Sequence, residues 1–264
     1  MKRIVFLACL LACSTTFFQL NAQTDTYSTS AGEMIFSWGE TPLSKDFMAR
    51  FPLAKISDYP VRFTVFFHVQ QFWHLDLNDN LGFFTGLAIR NIGMISDEFL
   101  PKNYETAATS DDYFNAKIIR RTYSLGLPLA VKLGSFSNHL YIYGGGEIEW
   151  AFHMKEKWWD QHSRDGSKTK TTTWWPNQLN TLQPSAFIGA QFPGGINLKM
   201  KYYLDNFLNH DYDVYKNATT PGQAVSDLTK YESSQLVYVS LSFQFQTSQI
   251  MKQFDSDKSV ASNY

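Results

Sequence analysis

Long stretches of alternating apolar and polar residues are the feature that most constrains how this chain can fold. Between Val61 and Leu77, one set of alternate positions carries Phe63, Val65, Phe67, Val69, Trp73 and Leu75. The other set carries Arg62, Thr64, His68, Gln70, His74 and Asp76. A β-strand sends successive side chains to opposite faces, whereas a helix would mix the two sets. The stretch therefore predicts a strand with one apolar face and one polar face.

The same alternation recurs along the chain and predicts eight strands. We expect them at residues 30–40, 61–77, 81–95, 116–133, 139–157, 180–193, 195–206 and 235–245. Several exceed the about 9 to 11 residues with which a tilted strand crosses a bilayer. They also exceed the usual strand length of a soluble β-sandwich. Their length therefore favours a barrel.

The predicted connections alternate between short and long. The short ones are Asn78–Asn80, Gly134–Asn138 and Gly194, and the long ones are residues 41–60, 96–115, 158–179 and 207–234. Outer-membrane barrels join their strands by short periplasmic turns and longer extracellular loops. An even number of strands with both termini at the short-turn side therefore predicts an all-β fold, an eight-stranded antiparallel up-and-down transmembrane β-barrel.

The beginning of the chain indicates export. Lys2 and Arg3 precede a mostly apolar run that ends at Ala22, as in a cleaved secretory signal. The alternative is a lipid-attachment signal at Cys13, but apolar residues continue after it. Cys9 and Cys13 are the two cysteines of the sequence, so cleavage after Ala22 would leave no thiol for a disulfide or a metal site.

Composition fits a membrane β-barrel. Aromatic residues make up 16 % of the chain, while its mean hydropathy is only −0.27. Strands that alternate lipid-facing and lumen-facing residues produce this combination. The net charge of −1 gives no indication of nucleic-acid binding. We therefore predict a signal peptide at residues 1–22, a barrel at 23–245 and a polar periplasmic tail at 246–264.

Particular segments strengthen this prediction. The last strand, LVYVSLSFQF, ends in aromatic residues, and YSLGLPLAVKLG lies at Tyr123 to Gly134. Together with the signal ending LNAQ and the alternating loop lengths, they make the mature chain resemble the small, porin-like outer-membrane β-barrel families of Gram-negative bacteria. The resemblance implies location in the cell outer membrane, assembly by the outer-membrane insertion machinery, and contact with outer-membrane lipid and lipopolysaccharide. It implies no particular activity and no cofactor.

Two tryptophan pairs enclose a polar segment, WWDQHSRDGSKTKTTTWW. We interpret Trp158, Trp159, Trp174 and Trp175 as an anchoring girdle at similar height on neighbouring strands, with Trp73 as a further member. Asp165-Gly166 between the pairs is typical of a hairpin turn. A second interpretation is a sugar- or lipopolysaccharide-binding platform beside Arg164, Lys168 and Lys170.

The inward positions predict a filled lumen. Eight strands leave an interior only wide enough for side chains. Counted in residues from the short-turn end of each strand, Arg90 lies at the same level as Glu147 and Glu149, and we expect it to pair with one of them. His68 and Lys201 are expected to flank this pair, and Arg120 is another member of the predicted polar network. A barrel with a structural, surface-binding or accessory-subunit role in a larger complex is the favoured function.

The alternatives are a small-solute channel and an outer-membrane lipid-modifying enzyme. An enzyme would need a nucleophile with a base, and Ser137 with His139 is the nearest such pair. His68, His74 and His153 with Glu149 could bind a metal, but lumen hydrogen bonding is the favoured interpretation, because none of them has the spacing of a zinc motif.

Overall fold

The computed structural model describes residues 25–161, 164 and 166–246. The predicted signal peptide and the predicted tail, except Gln246, lie outside these residues, as does Asp165 of the predicted hairpin turn. The strands are β1 Asp25–Glu40, β2 Lys55–Asp58, β3 Arg62–Thr64, β4 Val69–Asp76, β5 Leu81–Pro101, β6 Tyr113–Ser135, β7 Leu140–Trp159, β8 Lys168–Trp174, β9 Leu182–Gln191, β10 Ile196–Tyr203 and β11 Gln235–Gln246. The helices are α1 Lys45–Arg50 and α2 Pro221–Ser226.

Eight of these strands form a closed antiparallel ring. Its order is β1, β4, β5, β6, β7, β9, β10 and β11, and β11 pairs back with β1 from Thr29↔Gln246 to Glu40↔Gln235. Closure leaves no open sheet edge in this ring. The predicted fold class is therefore confirmed.

Tight turns join the strands at one end, called here the short-turn end. One of them is Pro193-Gly194-Gly195 between β9 and β10, where both glycines have positive φ. A Cβ on Gly195 would also lie 2.5 Å from the main-chain oxygen of Gln244, so this turn requires glycine. The opposite, long-loop end carries α1, α2 and the remaining short strands. Neither helix among the described residues is long and apolar enough to cross a membrane.

The predicted strand 61–77 is interrupted. β3 pairs with β1, and β4 pairs with both β1 and β5, but residues 65–68 between them form no ladder. Side chains fill the gap beside β5: Arg62 donates to the main-chain oxygen and to Oδ1 of Asn91, at 3.0 and 2.8 Å. His68 Nδ1 accepts from the main-chain nitrogen of Asn91 at 3.3 Å. The polar side chains thus satisfy backbone groups that a continuous strand would have paired.

A β-bulge shifts the register of the β6–β7 pair. Tyr123 lies opposite His153 while Ser124 lies opposite Ala151, so Phe152 has no partner on β6. A bulge of one residue exchanges the two faces of the strand that follows it. Beyond Phe152, even-numbered residues of β7 therefore face inward. The prediction that His153 faces the lumen is wrong for this reason.

The outer surface of the ring carries exposed apolar side chains on every strand. We call this surface the apolar belt. Its representatives, one for each ring strand, are Phe36, Trp73, Leu87, Leu129, Ile148, Ile188, Leu198 and Phe243. On β6, the belt extends from Leu133 near the short-turn end to Tyr123, above which the outward residues include Arg121 and Lys117. The strands therefore continue beyond the belt at the long-loop end.

Ring closure can be tested with a cysteine pair. Phe36 of β1 lies directly opposite Val239 of β11, so F36C/V239C should form a disulfide on oxidation, because opposed Cβ atoms are about 4.5–5.5 Å apart. The oxidised, denatured protein should migrate faster than the reduced protein on a gel. The control pair F36C/L198C places the second cysteine on β10, which does not adjoin β1. Equal cross-linking of both pairs would contradict the closed ring.

Candidate functional site

A cluster of charged side chains crosses the middle of the barrel. Arg90 on β5 donates from Nε to Glu33 at 3.0 Å and from Nη1 to Glu149 at 3.2 Å, and it also contacts Glu147. Lys201 on β10 lies 2.9 Å from Glu147 and contacts Glu149 as well. The structure thus brings together four of the six residues of the predicted lumen network.

Two members of the cluster were not assigned to it from the sequence. Glu33 on β1 accepts from Arg90, and Lys199 on β10 lies 2.6 Å from Glu33. Both are inward positions in the alternation of their strands. Alternation shows that they face the lumen, but only the register around the closed ring shows that they reach the level of Arg90.

The central network balances its charges. Its cations are Arg90, Lys199 and Lys201, and its anions are Glu33, Glu147 and Glu149. All six side chains are almost completely buried. Burying an ion costs several kcal/mol unless opposite charges and hydrogen bonds compensate it. Uncharged hydroxyl groups donate further hydrogen bonds to these carboxylates: Ser124 and Tyr203 donate to Glu149, and Ser240 donates to Glu33.

Arg120 lies in a second cluster, nearer the long-loop end. Its guanidinium lies 2.8 Å from Glu156 and 3.7 Å from Glu98, and it donates to the main-chain oxygen of Val225. The prediction that Arg120 belongs to the central network is therefore wrong. Arg120 lies about 13 Å beyond Ser124 along β6, at about 3.3 Å per residue, and Ser124 is the β6 residue that contacts the network.

The second cluster fixes the last long loop in the barrel mouth. Lys230 donates to the main-chain oxygens of Ala224 and Val225 at the end of α2, at 2.6 and 2.9 Å, and lies 3.5 Å from Glu98. Burial acts to raise the pKa of Glu98, but Lys230 and then Arg120 outweigh it, so this pKa lies below its ordinary value. Glu98 therefore stays ionised at neutral pH and holds the loop.

Apolar layers fill the lumen above and below the central network. Toward the short-turn end, Phe72, Phe84, Tyr143 and Phe187 pack together. Toward the long-loop end, a larger core includes Leu228 and residues of α2 and β5 to β7. An interior cavity beside Arg90 has a volume of about 10 Å³, which is about the space for one water molecule.

The three histidines considered as metal ligands lie apart. His68 fills the gap between β3 and β4, beside β5, whereas His74 stacks on Tyr27 at 4.6 Å and His153 packs on the outer surface at 4.7 Å from the Trp174 ring. His68 makes no direct contact with the charged groups of the central network among the described residues. No group of three or more potential ligands capable of holding a metal occurs among the described residues either.

The tryptophan pairs do not form one girdle. Trp174 lies opposite His153, whereas Trp158 and Trp159 lie opposite Thr169 and Lys168, farther toward the long-loop end. The prediction of similar height is wrong because β8 continues the hairpin beside β7, within the segment expected to be a loop.

The environments of the tryptophans differ as well. Trp158 follows the bulge and packs inward against Phe114, and Trp159 is only 8 % exposed. Trp174 and Trp175 are 63 % and 62 % exposed on the outer surface. Trp73 is also exposed, but it lies opposite Ser28 and Thr85, in the half of the barrel toward the short turns.

The serine and histidine considered for catalysis do not interact. Ser137 Oγ lies 3.3 Å from Ser135 Oγ, and no hydrogen bond between Ser137 and His139 occurs among the described residues. His139 is exposed and has a positive φ of 51° in the turn before β7. A nucleophile needs its base within hydrogen-bond reach, and this turn does not provide it.

Comparison with known proteins adds neighbours of low similarity. No protein-family profile matches the chain, and no curated protein matches its sequence. Among solved structures, the attachment invasion locus protein Ail of Yersinia pestis is 10 % identical, with a TM-score of 0.36, over 83 % of this chain and 98 % of Ail. The outer membrane protein OprG of Pseudomonas aeruginosa is 10 % identical, with a TM-score of 0.36, over 83 % of this chain and 95 % of OprG.

Neisserial surface protein A is 10 % identical to this chain, with a TM-score of 0.30, and the match covers 84 % of this chain and 99 % of the Neisserial protein. These neighbours belong to the class of protein that the sequence resembles. At such TM-scores they carry no conclusion about function, and the fold assignment rests on the strand pairing described above.

The central network predicts a large effect of removing one charge. Glu147→Gln leaves Arg90 and Lys201 with one anion fewer in a buried site, which should lower the free energy of unfolding by about 3–5 kcal/mol. Denaturant unfolding in detergent micelles measures this change. The control Glu105→Gln removes the same charge from an exposed loop side chain that forms no ion pair among the described residues and should change the free energy of unfolding by no more than about 0.5 kcal/mol. Equal losses in the two variants would contradict a cooperative buried network.

Proposed function

We propose that this protein is an integral outer-membrane β-barrel with a closed lumen, and that its function lies at the long-loop end, on the extracellular side. The apolar belt is the observation that carries the proposal. Its outward positions include Leu87 and Ile89 on β5, Leu127 and Leu129 on β6, and Leu198 and Met200 on β10, all exposed. Soluble monomers rarely expose apolar surface as a continuous ring.

The charge distribution supports the same orientation to lipid. Ionised side chains of the ring at the level of the belt point inward and pair with each other, as in the central network. The outward positions of β6 from Tyr123 to Leu133 carry no charge. Bilayer-spanning barrels need an apolar exterior, because an unpaired charge in the hydrocarbon core is costly.

A filled lumen favours a surface-binding, structural or accessory-subunit role over transport. Side chains occupy the lumen from the Phe72 layer through the central network to the core beneath α2. The buried contacts of Lys230 and Arg120 hold the last long loop over the mouth. A solute would have to displace these side chains to pass.

A pair of substitutions tests membrane insertion. Leu129 in the belt and Val214 in the last long loop are equally exposed, at 65 % and 64 %. Leu129→Arg places a charge near the bilayer midplane and should cost about 2–4 kcal/mol, whereas Val214→Arg stays in water and should cost about 0. Folding into lipid vesicles, followed by heat-modifiable gel migration, measures the difference. A soluble protein would tolerate both substitutions equally and would fractionate with the periplasm.

Planar-bilayer recording tests the closed lumen. The wild-type monomer should give no steady conductance, because the central network and the two apolar layers leave no continuous path. Glu147→Ala removes a carboxylate that contacts both Arg90 and Lys201, so brief openings are expected from this variant. Steady, large conductance from the wild-type protein would instead support the channel function.

A further inference from the structure

A group of basic side chains lies on the outer surface, directly beyond the apolar belt at the long-loop end. We call it the basic face. It consists of Arg121 on β6, Lys155 and Lys157 on β7, Lys168 and Lys170 on β8, and Arg164 in the turn between β7 and β8. The bulge at Phe152 creates it, because without the bulge Lys155 and Lys157 would face the lumen.

The strand register places these like charges side by side. Arg121 lies directly opposite Lys155, and Lys157 lies directly opposite Lys170. Directly opposed residues project to the same side of a sheet, and like charges in such positions destabilise it. Partial burial and then Arg121 lower the pKa of both Lys155 and Lys157. An anion bound between these side chains would therefore stabilise the arrangement.

The protein itself supplies no such anion among the described residues. None of the six basic residues forms an ion pair there, and Nε of Arg121 is buried without a hydrogen-bond partner. Lys117, one outward position beyond Ile119 on β6, is by contrast paired with Asp97 at 3.1 Å. Arg164 and Lys168 lie over the Trp159 ring, at 5.6 and 5.9 Å from its centroid, but no carboxylate among the described residues neutralises the basic face, so its charges remain available to an anion.

A cavity of about 360 Å³ opens on this face. Its lining combines Arg121, Lys155, Lys157 and Arg164 with the apolar side chains of Phe63 and Ile119. Guanidinium and ammonium groups are the usual partners of phosphate oxygens. Apolar walls beside them suit a ligand that carries both phosphate and hydrocarbon.

The position of the face along the barrel indicates where such a ligand comes from. Directly below it lies a row of rings, in which His153 is 5.4 Å from Tyr123 and 4.7 Å from Trp174. Below this row, Trp150 stacks on Trp175 at 5.1 Å, and the apolar belt begins. Aromatic rings are enriched at the boundary between lipid and water, so the basic face lies at the level of lipid headgroups.

We propose that the basic face binds the phosphate groups of a phosphorylated lipid in the outer leaflet, whose acyl chains lie along the apolar belt below. This inference rests on the proposed membrane location. The cations are concentrated on β6, β7 and β8, so the lipid is held at one side of the barrel and does not surround it evenly.

Native mass spectrometry of the detergent-solubilised full chain tests the inference. Bisphosphorylated lipid A is the probe, and dephosphorylated lipid A is the control ligand that lacks the phosphate groups. The wild type should bind the bisphosphorylated form at least about tenfold more tightly, and R121Q/K155Q should lose most of this preference. The control K45Q/K216Q removes the same charge from exposed residues of the long loops and should bind like the wild type. A higher salt concentration should weaken wild-type binding strongly, because salt screens exposed charges.

Three outcomes would overturn the inference. R121Q/K155Q could bind as tightly as the wild type, or both lipid forms could bind equally, which would leave the belt alone as the lipid contact. A soluble polyanion such as heparin could instead compete fully and bind as tightly without lipid, which would make a soluble ligand the occupant. Heat-modifiable migration of every variant is measured in parallel, so that failure of membrane insertion is separated from failure of this site.

Discussion

Pairing of β11 with β1 is the constraint on which the rest of the structure depends. Once the first and last ring strands share hydrogen bonds from Thr29↔Gln246 to Glu40↔Gln235, each strand has one face toward an enclosed interior and one toward the surroundings. Closure also fixes the relative heights of all eight strands. Glu33 on the first strand and Lys199 on the seventh can meet only because the ring returns to its start.

The enclosed interior determines how the polar faces are used. Inside a narrow barrel, an ionised side chain cannot keep its water shell and needs partners from the opposite wall. The central network meets this need with equal numbers of cations and anions, and Arg90 alone contacts three carboxylates from two different strands. The same solution recurs at the mouth, where Arg120 and Lys230 bind Glu98 and the end of α2. Charged groups thus form one layer of the interior, between the two apolar layers that fill the rest of the lumen.

One unpaired residue, Phe152, divides β7 into two parts in which the inward and outward positions are exchanged. Below Phe152, Glu147 and Glu149 face inward and complete the central network. Above it, Glu156 faces inward, while Lys155 and Lys157 face outward. The bulge therefore lets one strand serve a buried ionic core and an exposed basic surface without a change in its alternating composition. It also turns Trp158 inward, away from the position that a lipid anchor would need.

The sequence by itself determined the barrel, its strand number and the facing of most residues, because a period of two is a local property of a strand that each segment shows independently. It also indicated Arg90, Glu147, Glu149 and Lys201 as inward groups of similar height. Only the tertiary structure decided which charges meet, since contacts across the lumen depend on the stagger of strands far apart in the chain. The tertiary structure alone revealed the break after β3, the pairing of β8 with β7 and the bulge at Phe152. An inserted or unpaired residue is defined by its partner strand and leaves no periodic signal of its own.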